Sequence, residues 1–215
     1  LSVNENLIDL VTNKKFVLTQ FEYENTDYKK ILNELMWRHY VVFNSINYVV
    51  KFTNSKELYL VECGVCDGLT IFFAINSCLK NNVKPKAYLY DSWQELTSDK
   101  ENLKYKYSYL NIERTKENLK IYESNLIYNK GFIPKIFNTS NNPEKVHWLH
   151  IDLNSTQATL DSLEYFYNRV IKNGIILFDD YGGFSETREI IDNFFSNKNG
   201  HFLNFPTGQG IFYKT

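Results

Sequence analysis

Residues 146–183 constrain the fold of this chain most strongly, because their pattern predicts a strand, a helix and a second strand in succession. The first strand is followed by Asp152 and the second by the adjacent pair Asp179 and Asp180. Such βαβ units are right-handed with parallel strands, so both carboxyl ends open on one sheet edge, where ligands bind. If the strands are neighbours, they lie about 4.8 Å apart. Three carboxylates this close resist ionising together without a cation, so the stretch predicts a metal site.

Strands and helices alternate along most of the chain. Further strands are predicted at 58–61, 86–91, 126–129, 200–206 and 210–215, and further helices at 69–79, 112–123 and 185–195. This alternation predicts an α/β protein with a doubly wound, mostly parallel sheet. The last two strands are joined by a loop that contains glycine, which predicts an antiparallel finish.

An earlier segment, residues 26–52, carries apolar side chains at three- and four-residue steps, which predicts a long amphipathic helix. Arg38 and His39 lie within it, and we interpret them as surface or packing residues rather than functional ones. The apolar face of residues 36–50 is a candidate subunit contact, from which we expect a homo-oligomer.

Composition narrows the function classes. The chain has 215 residues, which suits one domain with a sizeable core, and a net charge of −1, which argues against a nucleic-acid partner. It contains no run of about 18 apolar residues and does not begin with a basic segment followed by an apolar one. We therefore expect a soluble, cytoplasmic protein without a membrane partner.

The three cysteines, Cys63, Cys66 and Cys78, do not suggest a disulfide framework. Cys63 and Cys66 have the CxxC spacing of redox and zinc pairs, but no second pair of cysteines or histidines stands at zinc spacing. We interpret them as small residues packed in a tight glycine-containing turn.

That turn follows the first strand of the sheet, and Gly64 and Gly68 bracket it. Glycines allow the backbone to approach a ligand closely, and the N-terminus of the following helix offers free N–H groups. The spacing is GxxxG rather than GxGxxG, which weakens a nicotinamide interpretation. The next strand ends in Asp91, and Ser92 and Trp93 follow it. In such folds an acid at the end of this strand binds the two hydroxyl groups of a ribose.

Residues 94–125 form a long, tyrosine- and lysine-rich connection. Its length is compatible with a lid over the crevice, and equally with a solvated helical surface.

Taken together, these motifs resemble the class I S-adenosylmethionine-dependent methyltransferases, and within them the macrocin O-methyltransferase (TylF-like) family. The resemblance covers roughly residues 35–215. It is carried by VECGVCDGLT, YDSWQEL, WLHIDLNST, NGIILFDDYGG and ETREIIDNFF, in this order. It implies a seven-stranded Rossmann-like sheet, with residues 1–55 as an arm and helix capping the active site and 56–215 as the methyltransferase domain.

The resemblance also implies a site for S-adenosylmethionine and one for Mg²⁺ or another divalent cation. The implied cofactor-binding residues are Glu62, Cys63, Gly64, Val65, Gly68, Asp91, Ser92 and Trp93. Asp91 would hold the ribose hydroxyls, while Ser92 and Trp93 would flank the adenine. Asp152, Asp179 and Asp180 match the metal-binding positions, whose hard oxygen ligands suit magnesium. The implied reaction is methyl transfer to a hydroxyl group of a small molecule, such as a sugar or glycosylated natural product.

One position departs from the family pattern. Members commonly carry a second acid or a histidine shortly after the first metal-binding aspartate, whereas this chain has Asn154, which is no general base at neutral pH. His150 shares a strand face with Asp152 and is an alternative base, although a hydrogen-bonded structural histidine is the preferred interpretation. Two other functions stay open: a catalytically altered cofactor-binding protein of the same fold, and a nicotinamide oxidoreductase.

Overall fold

A computed structural model describes residues 28–94 and 110–215 of the chain, with side chains from residue 36 onward. The described ranges contain seven strands: β1 (Glu57–Cys63), β2 (Lys84–Asp91), β3 (Leu126–Lys130), β4 (Val146–Ile151), β5 (Val170–Phe178), β6 (Gly200–Asn204) and β7 (Gly210–Lys214). The α-helices are α1 (Tyr28–Thr53), α2 (Leu69–Lys80), α3 (Ile112–Leu119), α4 (Thr156–Phe166) and α5 (Ser185–Phe195).

All seven strands form one sheet in the order β3-β2-β1-β4-β5-β7-β6. The strands from β3 to β5 in this order pair parallel, and β7 pairs antiparallel with both β5 and β6. The predicted doubly wound sheet and its antiparallel finish are therefore confirmed. Chain order reverses between β1 and β4, and in such sheets the ligand crevice lies beyond the strand ends at that point.

Hydrophobic side chains cover both faces of the sheet. On one face α1 and α2 pack over inward residues such as Leu60 and Trp148, and on the other face α4 and α5 pack over neighbours such as Val61 and Leu149. Successive residues of a strand point to opposite faces, which explains why β4 is buried along its whole length. A strand buried on both sides holds its carboxyl end in a fixed position.

The long helix α1 begins and ends close to the predicted limits and runs unbroken from Tyr28 to Thr53. Its apolar face, which includes Phe43 and Ile46, is buried in the core of the same chain. Ser45 on this helix accepts a hydrogen bond from Nε1–H of Trp148 at 2.7 Å. The face of residues 36–50 is therefore used within the chain rather than presented as a subunit contact, and a homo-oligomer stays a prediction.

Some predicted limits shift. The first strand is longer than predicted, and the helix predicted at 112–123 ends at Leu119 and continues as a 3₁₀ helix from Lys120 to Asn125. Residues 1–27 of the predicted arm and 95–109 of the predicted lid lie outside the described residues. Within the part of the chain that the structure describes, no helix is long and apolar enough to cross a membrane.

Candidate cofactor and metal site

Backbone hydrogen bonds join the carboxyl ends of the central strands. The N–H of Asp152 donates to the carbonyl of Cys63 at 2.9 Å, and the N–H of Asp179 donates to the carbonyl of Ile151 at 3.1 Å. These bonds continue the parallel ladders one residue past the strands. They bring the residues that follow β1, β4 and β5 to one edge of the sheet, as the sequence predicted.

Gly64, the first residue after β1, lies directly against the end of β4. Its φ is +85°, and a Cβ atom built on it would stand 1.9 Å from the carbonyl oxygen of Asp152. Only glycine fits this position, because any side chain would collide with a backbone atom that cannot move away cheaply. The glycine turn therefore forms a backbone cradle beside the first candidate metal ligand.

Asp91, at the end of β2, organises this turn. Its Oδ2 accepts hydrogen bonds from the N–H groups of Val65 at 2.8 Å and Cys66 at 2.9 Å, while Oδ1 accepts from Trp93 at 2.7 Å. Burial raises the pKa of the carboxyl group and the backbone donors oppose that shift. The sequence motif predicted the place of this residue at the cleft but not its structural role.

Trp93 does not line the cleft, in contrast to the expectation that its ring flanks an adenine. The residue has a φ of +46°, and its side chain is buried. The indole N–H donates to the carbonyl of Cys66 at 3.1 Å and to Oγ1 of Thr115 at 2.9 Å. The ring therefore supports the glycine turn from the protein interior, whereas neighbouring Ser92 does line the cleft.

Two adjoining cavities open at this edge. The larger has a volume of about 260 Å³, and the smaller, of about 60 Å³, lies between the turn and α1. Gly64, Cys66 and Asp152 line both cavities; the larger is also lined by Asp91, Ser92, Gln94, Leu110, Gly131, Phe132, Ile133, Leu153, Asn154, Ser155 and Ala158. The glycine cradle and the Asp91 carboxylate fit a nucleoside cofactor that lies across this edge.

The three predicted metal-binding aspartates do come together. Asp152, Asp179 and Asp180 each offer a carboxylate oxygen, and these oxygens lie within 4.8 Å of one another. A set of hard, anionic oxygen donors of this size fits Mg²⁺, which typically retains several water ligands. The donor set is therefore compatible with the implied divalent cation.

Asp179 is the most constrained of the three. Its side chain is 7% exposed, and it forms an ion pair through Oδ2 with the guanidinium of Arg38 on α1. Nε2–H of Gln209 donates to its Oδ1 at 2.8 Å. The sequence interpretation treated Arg38 as a surface or packing residue, and its contact with this carboxylate was missed because no local pattern links α1 to β5.

His150 lies in the interior of the protein. It is 1% exposed, and its Nδ1 lies 3.0 Å from Oε1 of the equally buried Glu62. Burial, with lesser contributions from Arg38 and His39, lowers the pKa of His150 to about 3. Burial, together with Asp152 and Asp91, raises the pKa of Glu62 well above its usual value. Neither residue lines the two cavities, so the predicted place of Glu62 beside the methionine end is not reproduced.

The structure agrees with the cysteine interpretation for Cys66, which lies in the turn, whereas Cys63 is the last residue of β1. All three cysteines are free thiols, and burial raises the pKa of Cys63 and Cys66. The Cys63 side chain is buried. Val65, another predicted cofactor-binding residue, lines the smaller cavity.

Within the described ranges, the carboxylate cluster is the one group of three or more side chains placed to hold a metal ion.

The seven-stranded sheet, with its parallel core and its antiparallel terminal strands, is the fold of the class I methyltransferases. The sequence profile described as macrocin O-methyltransferase (TylF) matches residues 45–206. The chain belongs to this family, and the predicted class of enzyme, an S-adenosylmethionine-dependent O-methyltransferase, is confirmed. The nicotinamide oxidoreductase alternative is accordingly wrong.

Solved structures share the fold. The O-methyltransferase NovP superposes with a TM-score of 0.72 at 15% identity, covering 99% of this chain and 98% of NovP. SAH-bound methyltransferase PaMTH1 from Podospora anserina gives 0.59 at 11% identity, with coverages of 96% and 87%. CalS11, a TDP-rhamnose 3'-O-methyltransferase of calicheamicin biosynthesis, gives 0.58 at 12% identity, with coverages of 99% and 93%. No curated protein matches the chain in sequence.

Proposed function

We propose that this protein transfers a methyl group from S-adenosylmethionine to a hydroxyl group of a sugar or of a glycosylated small molecule, with the help of a divalent cation. The observation that carries the proposal is the carboxylate cluster of Asp152, Asp179 and Asp180, which adjoins a cleft lined by Gly64 and Asp91. The names of NovP and CalS11 support oxygen as the acceptor atom, and that of CalS11 supports a sugar.

When bound, S-adenosylmethionine supplies an electrophilic methyl group and the cation supplies positive charge for the acceptor oxygens. Asp152, Asp179 and Asp180 would hold the cation, and the Gly64 turn with Asp91 would hold the cofactor. A third cavity, of about 400 Å³, is lined by Asn154 and by residues at the start of α4 and α5, and we assign it to the acceptor. Orienting the acceptor beside the cofactor contributes much of the catalysis in such transfers.

The proposal is tested with radiolabelled S-adenosylmethionine and a panel of sugars and glycosylated acceptors. We expect methyl transfer that EDTA abolishes and that added Mg²⁺ restores. The variant Asp152→Asn is expected to lose this activity while still folding, as checked by circular dichroism. Activity that persists in EDTA would overturn the role of the metal and leave the methyl transfer in place.

A second candidate function, binding of the cofactor without catalysis, rests on one observation. Asn154 lines both the cofactor cleft, which contains Gly64 and Asp91, and the third cavity, and a carboxylate or imidazole at this position would serve as a base. A protein of this kind would bind S-adenosylhomocysteine in isothermal titration calorimetry and transfer no methyl group to any acceptor.

A further inference from the structure

The candidate metal site already contains a positively charged side chain of the protein itself. Arg38 reaches from α1 into the smaller cavity, which Asp152 and Asp179 also line, and pairs with Oδ2 of Asp179. Among the described residues lining that cavity, it is the one with a permanent positive charge. Close carboxylates need a nearby positive charge to stay ionised together.

The hydrogen bonds of Asp179 show why this pairing matters for a metal. Gln209 occupies Oδ1 and Arg38 occupies Oδ2, so each oxygen of this buried carboxylate already has a partner from the chain itself. An arginine on a carboxylate oxygen donates a hydrogen bond to one of its two lone pairs and places positive charge where a metal ion would bind. The guanidinium and a divalent cation therefore compete for the negative charge of Oδ2 and for the space beside it.

The surroundings of Arg38 allow its guanidinium to leave. The side chain is 27% exposed, and its Nε is buried without a hydrogen-bond partner. Its Cζ lies 5.7 Å from the ring centroid of the neighbouring, exposed Trp37. A guanidinium near an aromatic face gains cation–π attraction, so Trp37 stabilises the guanidinium independently of Oδ2.

We propose that Arg38 is an internal counter-cation that neutralises the aspartate cluster when the metal is absent and competes with the metal for Asp179. Binding of the metal releases the guanidinium from Oδ2, which couples the position of the α1 side chains to metal occupancy. This inference rests on the proposed metal-assisted function, and it adds a residue on α1 that lowers the affinity for the ion.

The test compares Mn²⁺ binding by the whole protein and by Arg38→Gln, using electron paramagnetic resonance to count the free ion. Glutamine removes the charge but keeps a hydrogen-bond donor, and we expect it to lower the Kd for Mn²⁺ at least tenfold. Arg38→Lys, which retains a charge, is expected to give an intermediate Kd. Arg188→Gln is the matched control, because Arg188 is exposed and pairs with Asp192 on α5; its Kd should equal that of the unchanged protein.

A second readout is the melting temperature of the same proteins, in EDTA and with added Mn²⁺. Arg38→Gln is expected to lower the melting temperature in EDTA, and Mn²⁺ is expected to raise the melting temperature of this variant more than that of the unchanged protein. An equal or weaker Mn²⁺ affinity in Arg38→Gln would overturn the competition and leave the metal site intact. Absence of Mn²⁺ binding in every variant would overturn both the competition and the metal-assisted part of the proposed function.

Discussion

Two residues in the loop after β4 show how the chemistry of the site depends on single side chains. Asp152 adjoins the glycine cradle and joins the carboxylate cluster. Asn154, two positions later, lines the cofactor cleft and the third cavity. An amide at this position can bind a hydroxyl group of an acceptor through hydrogen bonds, but it cannot remove the proton at neutral pH.

Replacing Asn154 by Asp should therefore increase turnover. A positioned general base contributes about 100-fold or more to such reactions, and we expect an increase of about 100-fold in kcat for acceptors that the unchanged protein methylates slowly. The measurement is transfer of a radiolabelled methyl group, with calorimetry to confirm that the affinity for S-adenosylhomocysteine is unchanged.

Ser155→Asp is the control for this change, because it adds the same carboxylate one residue later and retains an N-cap acceptor for α4. We expect no increase in kcat for the control. An unchanged kcat in Asn154→Asp, with normal cofactor binding, would show that the absence of a base at this position does not limit the reaction.

Gly64 and Gly208 provide a matched pair for the backbone cradle. Both have positive φ, +85° and +88°, but a Cβ on Gly64 would meet the Asp152 carbonyl oxygen at 1.9 Å, whereas one on Gly208 would meet nothing within 4 Å. Alanine at Gly208 should destabilise the protein by about 1 kcal/mol through left-handed strain alone. Alanine at Gly64 should cost on the order of 3 kcal/mol or more, because the collision adds to the strain.

Chemical denaturation of both variants measures these losses of stability, and titration with S-adenosylhomocysteine measures their affinity for the cofactor. Gly64→Ala should lose cofactor binding and Gly208→Ala should retain it. Equal destabilisation in the two variants would mean that the end of β4 yields easily and that contact with Asp152 does not select glycine.

At the scale of elements, the order and type of the helices and strands were predictable, because hydrophobic period and glycine positions are local signals. The edge at which Asp91, Asp152 and Asp179 meet was also predictable, since parallel strands share one carboxyl end. Two features were not. The inward turn of Trp93 depends on a positive φ that tryptophan rarely adopts, and the pairing of Arg38 with Asp179 joins elements far apart in the chain.

Asp91 connects two elements, since its carboxylate accepts N–H groups from the turn after β1 and from the residues after β2. Asp91→Asn replaces one acceptor oxygen by an NH₂ group that faces backbone donors. We expect a loss of about 1–3 kcal/mol in the free energy of unfolding, which is typical of a buried donor left without a partner. We also expect an S-adenosylhomocysteine affinity at least tenfold weaker, because the glycine turn loses its anchor.

Asp161→Asn is the control for this variant. Asp161 is an acceptor on the surface of α4, bonded to Nε2–H of Gln157 at 2.8 Å, and its change should leave both quantities nearly unaltered. If Asp91→Asn kept full stability and lost only cofactor affinity, the carboxylate would act on the ligand and not on the turn.

For the whole molecule, the core contains imidazoles that the fold keeps neutral. Burial is the main cause that lowers the pKa of His39 to about 3, of His147 to about 4 and of His150 to about 3. Between pH 6.5 and 4 the unfolded chain binds protons at these positions that the folded chain does not, so each histidine makes stability fall as the pH falls. Burial raises the pKa of Glu62. Above pH 4.5 the folded chain therefore holds a proton there that the unfolded chain loses, and this contribution makes stability rise as the pH falls.

A single variant isolates one of these contributions. His39 stacks on Phe73, with ring centroids 4.7 Å apart, and both of its ring nitrogens are buried without a hydrogen-bond partner. Phenylalanine at this position keeps the stacking and removes the proton site beside Arg38. Relative to the unchanged protein, His39→Phe should therefore gain about 1.4 kcal/mol of stability for each pH unit below 6.5, down to about pH 4.

Urea denaturation of both proteins at half-unit steps of pH measures this difference, and metal-free buffer removes any contribution from bound metal ions. His201→Gln, a change of an exposed histidine on β6, is the control for removing a histidine outside the core. Parallel stability curves for His39→Phe and the unchanged protein would mean that the folded chain accepts a proton on His39, by opening the cavity that separates α1 from the glycine turn. Such an opening would also change the surroundings of the neighbouring Arg38, which lines the same cavity.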